Sequence, residues 1–165
     1  MNHPRMIEKM TAFYRGSTHD AAHFLKVYAL AAAIGRLEGL PEEEQAVLEA
    51  AAIVHDIACP LCREKYGSAP GHLQELESET LLRPFLGEFS LPGEALERII
   101  LLVSRHHTWS PSAGRDHQIL LEADFLVNMI EGNASPEAID AFCEKVFRTP
   151  EGKQKLDWIR PKGER

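Results

Sequence analysis

Ala50-Ala51-Ala52-Ile53-Val54 runs directly into His55-Asp56, and this stretch limits the folds open to the chain more than any other. The run ends a segment that begins at Pro41-Glu42-Glu43-Glu44, with proline at an early helical position and carboxylates in the first turn. Those signals predict a helix. A helix this apolar is buried. Its end then carries a carboxylate into the interior, which costs several kcal/mol unless the charge is paired or coordinates a metal. Asp56 therefore needs a cation, and His55 beside it offers an imidazole nitrogen. Adjacent helix positions point about 100° apart. The two side chains share one ion only if it lies between their directions and other segments complete its shell. Taken alone, the pair also reads as an ordinary helix end, with a structural histidine and an aspartate paired to Arg or Lys. The other histidines shift that balance.

The rest of the chain reads as helices too. Met6 to Arg15 is a short one, broken at Gly16-Ser17-Thr18. Ser17 or Thr18 can cap the next helix, which runs to about Glu38. Phe24, Val27, Leu30, Ala31 and Ile34 form its buried stripe, with His23 on or beside that face. His19 and His23 are one turn apart on a shared face, and His19 reads as a surface cap or pair. Cys59 to Gly71, with Pro60, Gly67 and Pro70, reads as a loop. A helix follows from near His72 to Leu86, and another from Pro92-Gly93-Glu94 to Arg105-His106-His107. Trp109 to Gly114 is a second loop, and Gln118 to Glu131 a helix with Asp124 among its apolar positions. Gly132 to Pro136 turns the chain into a helix from Pro136 to Phe147. Pro150 to Trp158 adds a further helical segment, and the tail from Arg160 to Arg165 is polar and frayed. Strand-period alternation is absent, so the fold class is all-α: a single-domain helical bundle spanning 1–165, with a core at about 17–130 and a C-terminal extension at about 136–160.

Composition narrows the function. The 165 residues suffice for one full core. A net charge of −7 argues against nucleic-acid polymers and acidic membranes as partners, but leaves room for a nucleotide at a local positive site or a metal. Cys59, Cys62 and Cys143 are too few and odd in number for a disulfide framework. Cys59-Pro60-Leu61-Cys62 is a Cys-x-x-Cys, but no second pair and no βαβ pattern accompany it, so it receives no chemical role. The start of the chain lacks signal-peptide character. The longest apolar run, Val27 to Ile34, is too short for a membrane span. The expected location is cytoplasmic, and a homodimer is left open.

Five polar features recur at the edges of buried helices: His23, His55-Asp56, His72, His106-His107 and Asp124. A helical bundle brings such positions together in its core. Any one histidine reads first as a satisfied core residue. Four or more with two aspartates do not read as independent accidents. A mixed imidazole and carboxylate shell suits a divalent transition metal, and the absence of cysteine from it argues against a structural zinc knot. His117, in a polar run, reads as exposed. Glu75 and Glu79 share a face after His72 and read as a solvated face before a general acid.

His23-Phe24-Leu25-Lys26-Val27, then Ala52-Ile53-Val54-His55-Asp56-Ile57, then Glu122-Ala123-Asp124 resemble the H…HD…D signature of the HD-domain phosphohydrolase superfamily. Lys26 stands where the usual form has Arg, and Ile57-Ala58 where it has Ile-Gly. The likeness spans roughly residues 17–130. It implies an all-α core around a metal held by His23, His55, Asp56 and Asp124. His72 and His106-His107 match the added histidines of members that hold more than one metal. Small stand-alone proteins that cleave diadenosine tetraphosphate are similar. So is a cyclic-di-GMP phosphodiesterase subgroup, but its Gly-Tyr-Pro is replaced here by Trp109-Ser110-Pro111.

The expected function is a metal-dependent phosphohydrolase acting on a nucleotide or small phosphorylated metabolite, with one or two divalent ions (Fe, Mn, Ni, Co, Zn or Mg) per chain. A metal in such a shell polarises a phosphoryl oxygen and lowers the pKa of a bound water. Asp56 is placed to touch both. Lys26, Arg63, Lys65 and Arg105 each lie within a few residues of an expected ligand and can meet phosphate charge. Asp56, Lys26 and Arg105 are assigned to catalysis. The competing readings are a metal- or nucleotide-sensing module without turnover, and a structural bundle with an incidental histidine cluster.

Overall fold

Ala50 to Val54 have no solvent exposure at all, so this end of their helix must be covered on every side. The computed structural model, which describes residues 1–110, 113–132 and 135–160, shows what covers it. This helix, α3 (Glu42–Val54), packs against α1 (His3–Phe13), α2 (Thr18–Leu37), α6 (Gly93–Val103) and α7 (Arg115–Ile130). Beyond it come α4 (Cys59–Tyr66) and α5 (Gly71–Gly87), and the chain closes with α8 (Pro136–Lys145) and α9 (Pro150–Ile159). No strand occurs among the described residues, and the architecture is all-α. Residues Glu42–Tyr66 are long and apolar enough to cross a membrane by composition, but 78% of that window is buried inside the fold.

Local chemistry sets the helix boundaries. Asn2 accepts from the Arg5 N–H at 3.1 Å and starts α1 earlier than the apolar pattern suggests. Ser17 caps α2, accepting from the Asp20 N–H at 3.3 Å and donating to Asp20 Oδ2 at 2.8 Å. Phe24, Val27, Ala31 and Ile34 form the expected stripe, each fully buried, with Leu30 half-buried beside them.

Between Cys59 and Gly71 the structure corrects the sequence reading. Cys59–Tyr66 is helix α4, not loop. Pro60 sits in the first turn, where a missing N–H costs nothing, and Cys59 and Cys62 face the core. Gly67, at φ 77°, ends the helix in the left-handed conformation, its N–H donating to Arg63 O at 3.0 Å. Pro111 and Ser112 of the second expected loop, Asn133 and Ala134 of the following turn, and residues 161–165 of the tail lie outside the described residues.

The C-terminal segment is fastened to α7 by one buried carboxylate. Glu122 has no exposure. Its Oε1 accepts from the backbone N–H groups of Arg148 (2.7 Å) and Thr149 (3.0 Å) and from Gln118 Nε2 (2.6 Å), and its Oε2 accepts from the Thr149 hydroxyl. Phe125 stacks on Phe142 at 3.8 Å, and Phe147 meets Phe125 edge-on at 6.0 Å. Glu122→Ala strands several buried donors at once. It is expected to destabilise the fold by about 2–4 kcal/mol, since each unsatisfied buried group costs about 1–3 kcal/mol. Urea unfolding checks this, and an unchanged midpoint would show that the segment is held by aromatic packing alone.

Candidate metal centre

The helical hydrogen-bond ladder of α3 ends just before His55, and residues 55–58 form a turn. His55 Nδ1 donates to Ala52 O at 2.9 Å. A carbonyl only accepts, so this bond places the proton on Nδ1 and leaves the Nε2 lone pair free. His106 repeats the arrangement after α6: Nδ1 donates to Val103 O at 2.7 Å. Both Nε2 atoms are buried and have no hydrogen-bond partner. Two such orphans close together are uncommon in a folded interior.

Asp56 lies between them. Its Oδ2 is 3.5 Å from His55 Nε2 and 3.5 Å from His23 Nε2, while its Oδ1 is 3.4 Å from His106 Nε2. From α7, Asp124 Oδ1 is 3.1 Å from His23 Nε2 and 3.6 Å from His55 Nε2. Asn128 donates to the same Asp124 oxygen at 3.0 Å and steadies it. The resulting donor atoms fall into two groups: His23, His55 and Asp56 in one, and Asp56, His106 and His107 in the other, each drawn within 4.8 Å. Asp56 belongs to both, with one oxygen toward each side. Imidazole nitrogens converging on carboxylates fit a divalent cation, which would take their lone pairs in place of protons, and the nitrogen-oxygen donor set suits a transition metal.

Electrostatics reflects the crowding. Burial works against charging His23, but its hydrogen bond to Asp124 and the charges of Asp56 and Asp124 prevail and raise its pKa to about 9. His106 follows the same pattern and is raised, with burial opposed by Asp56. Burial alone would lift the carboxyls. Instead the His55 and His106 imidazoles hold Asp56 well below the usual range, and His23 and His55 do the same for Asp124.

Not every expected residue joins the cluster. His72 is exposed at the start of α5 and belongs to neither donor group. The backbone beside it does reach the site, because Gly71 packs so closely on His107 that an added Cβ would lie 2.5 Å from the ring. Glu75 is half-buried rather than part of a solvated face, accepting from the His107 N–H and the Thr108 hydroxyl, both at 3.0 Å. Glu79 pairs with Arg83 on the surface. Among the cations, Lys26 is 43% exposed and bonded to Glu131. Arg63 pairs with Asp20, and Lys65 pairs with Glu77 at 2.7 Å. Arg105 is exposed on the turn that carries His106. His19 pairs at the surface, 3.5 Å from Asp20.

His117 is buried, not exposed as the polar run suggests. Its Nε2 donates to Arg105 O at 2.8 Å and braces the turn that carries His106 and His107. Cys59 is buried near Asp56, and burial together with that negative charge pushes its thiol pKa up. The protonated form is a poor redox nucleophile. Two residues escaped the sequence reading. Tyr14 has a buried hydroxyl without a hydrogen-bond partner. Glu131 accepts from His23 Nδ1 at 2.9 Å. Its place seven residues after Asp124, two turns along one helix face, is the signal that could have found it. A cleft of about 800 Å³ between Met1, α3, α6 and the start of α7 includes none of these site residues.

The raised His23 value gives a pH signature. In metal-free protein, protonated His23 stabilises the fold fully below its ordinary pKa of 6.5, and the contribution is lost as pH rises through about 9. Urea midpoints are expected to fall over that window, and to fall less in His23→Asn. Equal slopes in parent and variant would contradict the assignment.

The HD-domain family model matches residues 20–141, well over half of the chain, and the chain belongs to that family. HD domains bind divalent metals and are generally metal-dependent hydrolases, although some members are non-catalytic. No curated protein matches the sequence.

Proposed function

We propose that this HD-domain protein is a metal-dependent phosphohydrolase that cleaves a phosphoester or phosphoanhydride bond of a nucleotide or another small phosphorylated metabolite. The observation that carries the reading is the pair of buried, unpartnered Nε2 atoms of His55 and His106 on either side of Asp56. His23, His55, Asp56 and Asp124 would hold one ion. Asp56, with His106 and His107, would hold a second. Held there, a divalent ion supplies Lewis acidity to a phosphoryl oxygen and lowers the pKa of a water.

The protein's own groups do the rest. Asp56 stays ionised, so it can accept a hydrogen bond from an attacking water while facing both donor groups. The backbone bonds to Ala52 and Val103 hold His55 and His106 in the tautomer a ligand needs. Lys26 projects from α2 with its ammonium held by Glu131, ready to meet phosphate charge. Arg63, one helix after the His-Asp pair, is pinned by Asp20 and is a second such cation. Arg105, exposed beside His106, is a third. The net charge of −7 favours a small phosphorylated substrate over a nucleic-acid polymer.

The test is release of phosphate or mononucleotide from a broad panel by Mn²⁺-loaded protein. Chelation is expected to stop the release, and Asp56→Ala to reduce it to background while remaining folded. Lys26→Ala is expected to lower kcat/KM by ~10- to 100-fold, the worth of one charge-assisted hydrogen bond. No release from any substrate by a metal-loaded, folded parent would overturn the reading. Tight nucleotide binding without turnover would replace it with a sensing module.

A further inference from the structure

Glu131 caps the C-terminal end of α7. A carboxylate is poorly placed there, because the helix dipole presents its negative end and disfavours an anion by about 0.3–1 kcal/mol. Yet the side chain is only 9% exposed, and it is aimed at one face of α2. His19, His23 and Lys26 follow the i, i+4, i+7 spacing of a single helix face. Glu131 meets all three. Its Oε2 is 2.9 Å from His23 Nδ1 and 3.7 Å from His19 Nε2, and its Oε1 accepts from Lys26 Nζ at 2.9 Å. The His19 and His23 rings lie nearly parallel, at 14°, with centroids 6.2 Å apart.

The consequence for His23 is specific. A hydrogen bond from Nδ1 to a carboxylate puts the proton on Nδ1, turns the ring and leaves Nε2 to face Asp56 and Asp124. His55 and His106 obtain the same result from backbone carbonyls within their own turns. His23 sits inside the second turn of a helix, where the nearby carbonyls are already engaged in the ladder. It has to find its acceptor on another element, and Glu131 is that acceptor.

We infer that Glu131 is a positioning residue with two tasks: it fixes the tautomer and angle of His23 for metal binding, and it holds Lys26 where substrate phosphate arrives. The inference rests on the proposed metal site and adds a residue to it. A carboxylate behind a ligating histidine raises the basicity of that ligand as well as orienting it. The alternative role is a plain ion pair clamping α2 to α7. The two differ in what each variant disturbs. Glu131→Ala removes both bonds. Glu131→Gln keeps an acceptor for His23 Nδ1–H but loses the anion that holds Lys26. Lys26→Ala removes the ion pair and leaves the His23 bond intact.

The experiment titrates metal-free parent and the three variants with Mn²⁺ alone, reading free Mn²⁺ by electron paramagnetic resonance. Urea unfolding of the metal-free proteins runs beside it. Glu131→Ala is expected to weaken Mn²⁺ binding about 10- to 100-fold, the usual loss for a group behind a metal ligand. Glu131→Gln is expected to bind closer to the parent than to the alanine variant, and Lys26→Ala to bind as the parent does. Parent-like Mn²⁺ affinity in Glu131→Ala would overturn the inference while leaving the metal site standing. So would equal weakening in Glu131→Ala and Lys26→Ala in step with lost stability, which marks a clamp. Failure of the parent itself to bind Mn²⁺ would overturn the metal-site reading beneath it.

Discussion

One carboxylate, Asp56, holds the centre of this molecule in place. It stands at the end of a helix with no exposed residue in its last five positions, and three imidazoles from three segments lie within 3.5 Å of it. In water its charge would need no partners. Here burial raises the cost of the ion, and the neighbouring imidazoles offset it strongly enough to hold the carboxyl ionised. In the metal-free protein His23 answers the charge by taking up a proton, which is why it is so basic. A divalent cation answers the same charge while leaving the nitrogens neutral.

The surrounding helices follow from that requirement. α2 must bring His23, α7 must bring Asp124 and Glu131, and the turn after α6 must bring His106, all to the end of α3. Each is fixed outside the site. His117 holds the turn after α6 through Arg105 O, Glu75 ties His107 and Thr108 to α5, and Asn128 steadies Asp124. Glu122, two residues before Asp124 on α7, receives the C-terminal segment. The helix that contributes a candidate ligand thus also anchors the end of the described chain.

Much of this was legible in sequence. The apolar run before His55-Asp56, the α2 stripe and the apolar setting of Asp124 led to an all-α bundle with these groups at its centre, because burial and helical period act locally. Other features depended on partners distant in the chain. Pro60 and Gly67 read as loop signals, yet proline suits a first turn and glycine a last one, so together they bound a helix. His117 read as exposed because its neighbours are polar, while its acceptor, Arg105 O, lies twelve residues away. Glu131 pairs with His23 across 108 residues, and only its place two turns after Asp124 on the same helix face points to that contact in sequence. His72 matches an added histidine of the family's multi-metal members, but its side chain turns to solvent while the backbone at Gly71 makes the close approach.

The central claim is that two buried imidazole nitrogens and Asp56 exist to hold a metal. Elemental analysis of the protein as purified, and again after Mn²⁺ loading, tests it most directly when set beside a folded Asp56→Ala variant. The account predicts one or two ions per chain in the parent and their loss in the variant, since Asp56 is shared by both donor groups. A parent that holds no metal under either condition, or a variant that holds as much as the parent, would contradict it.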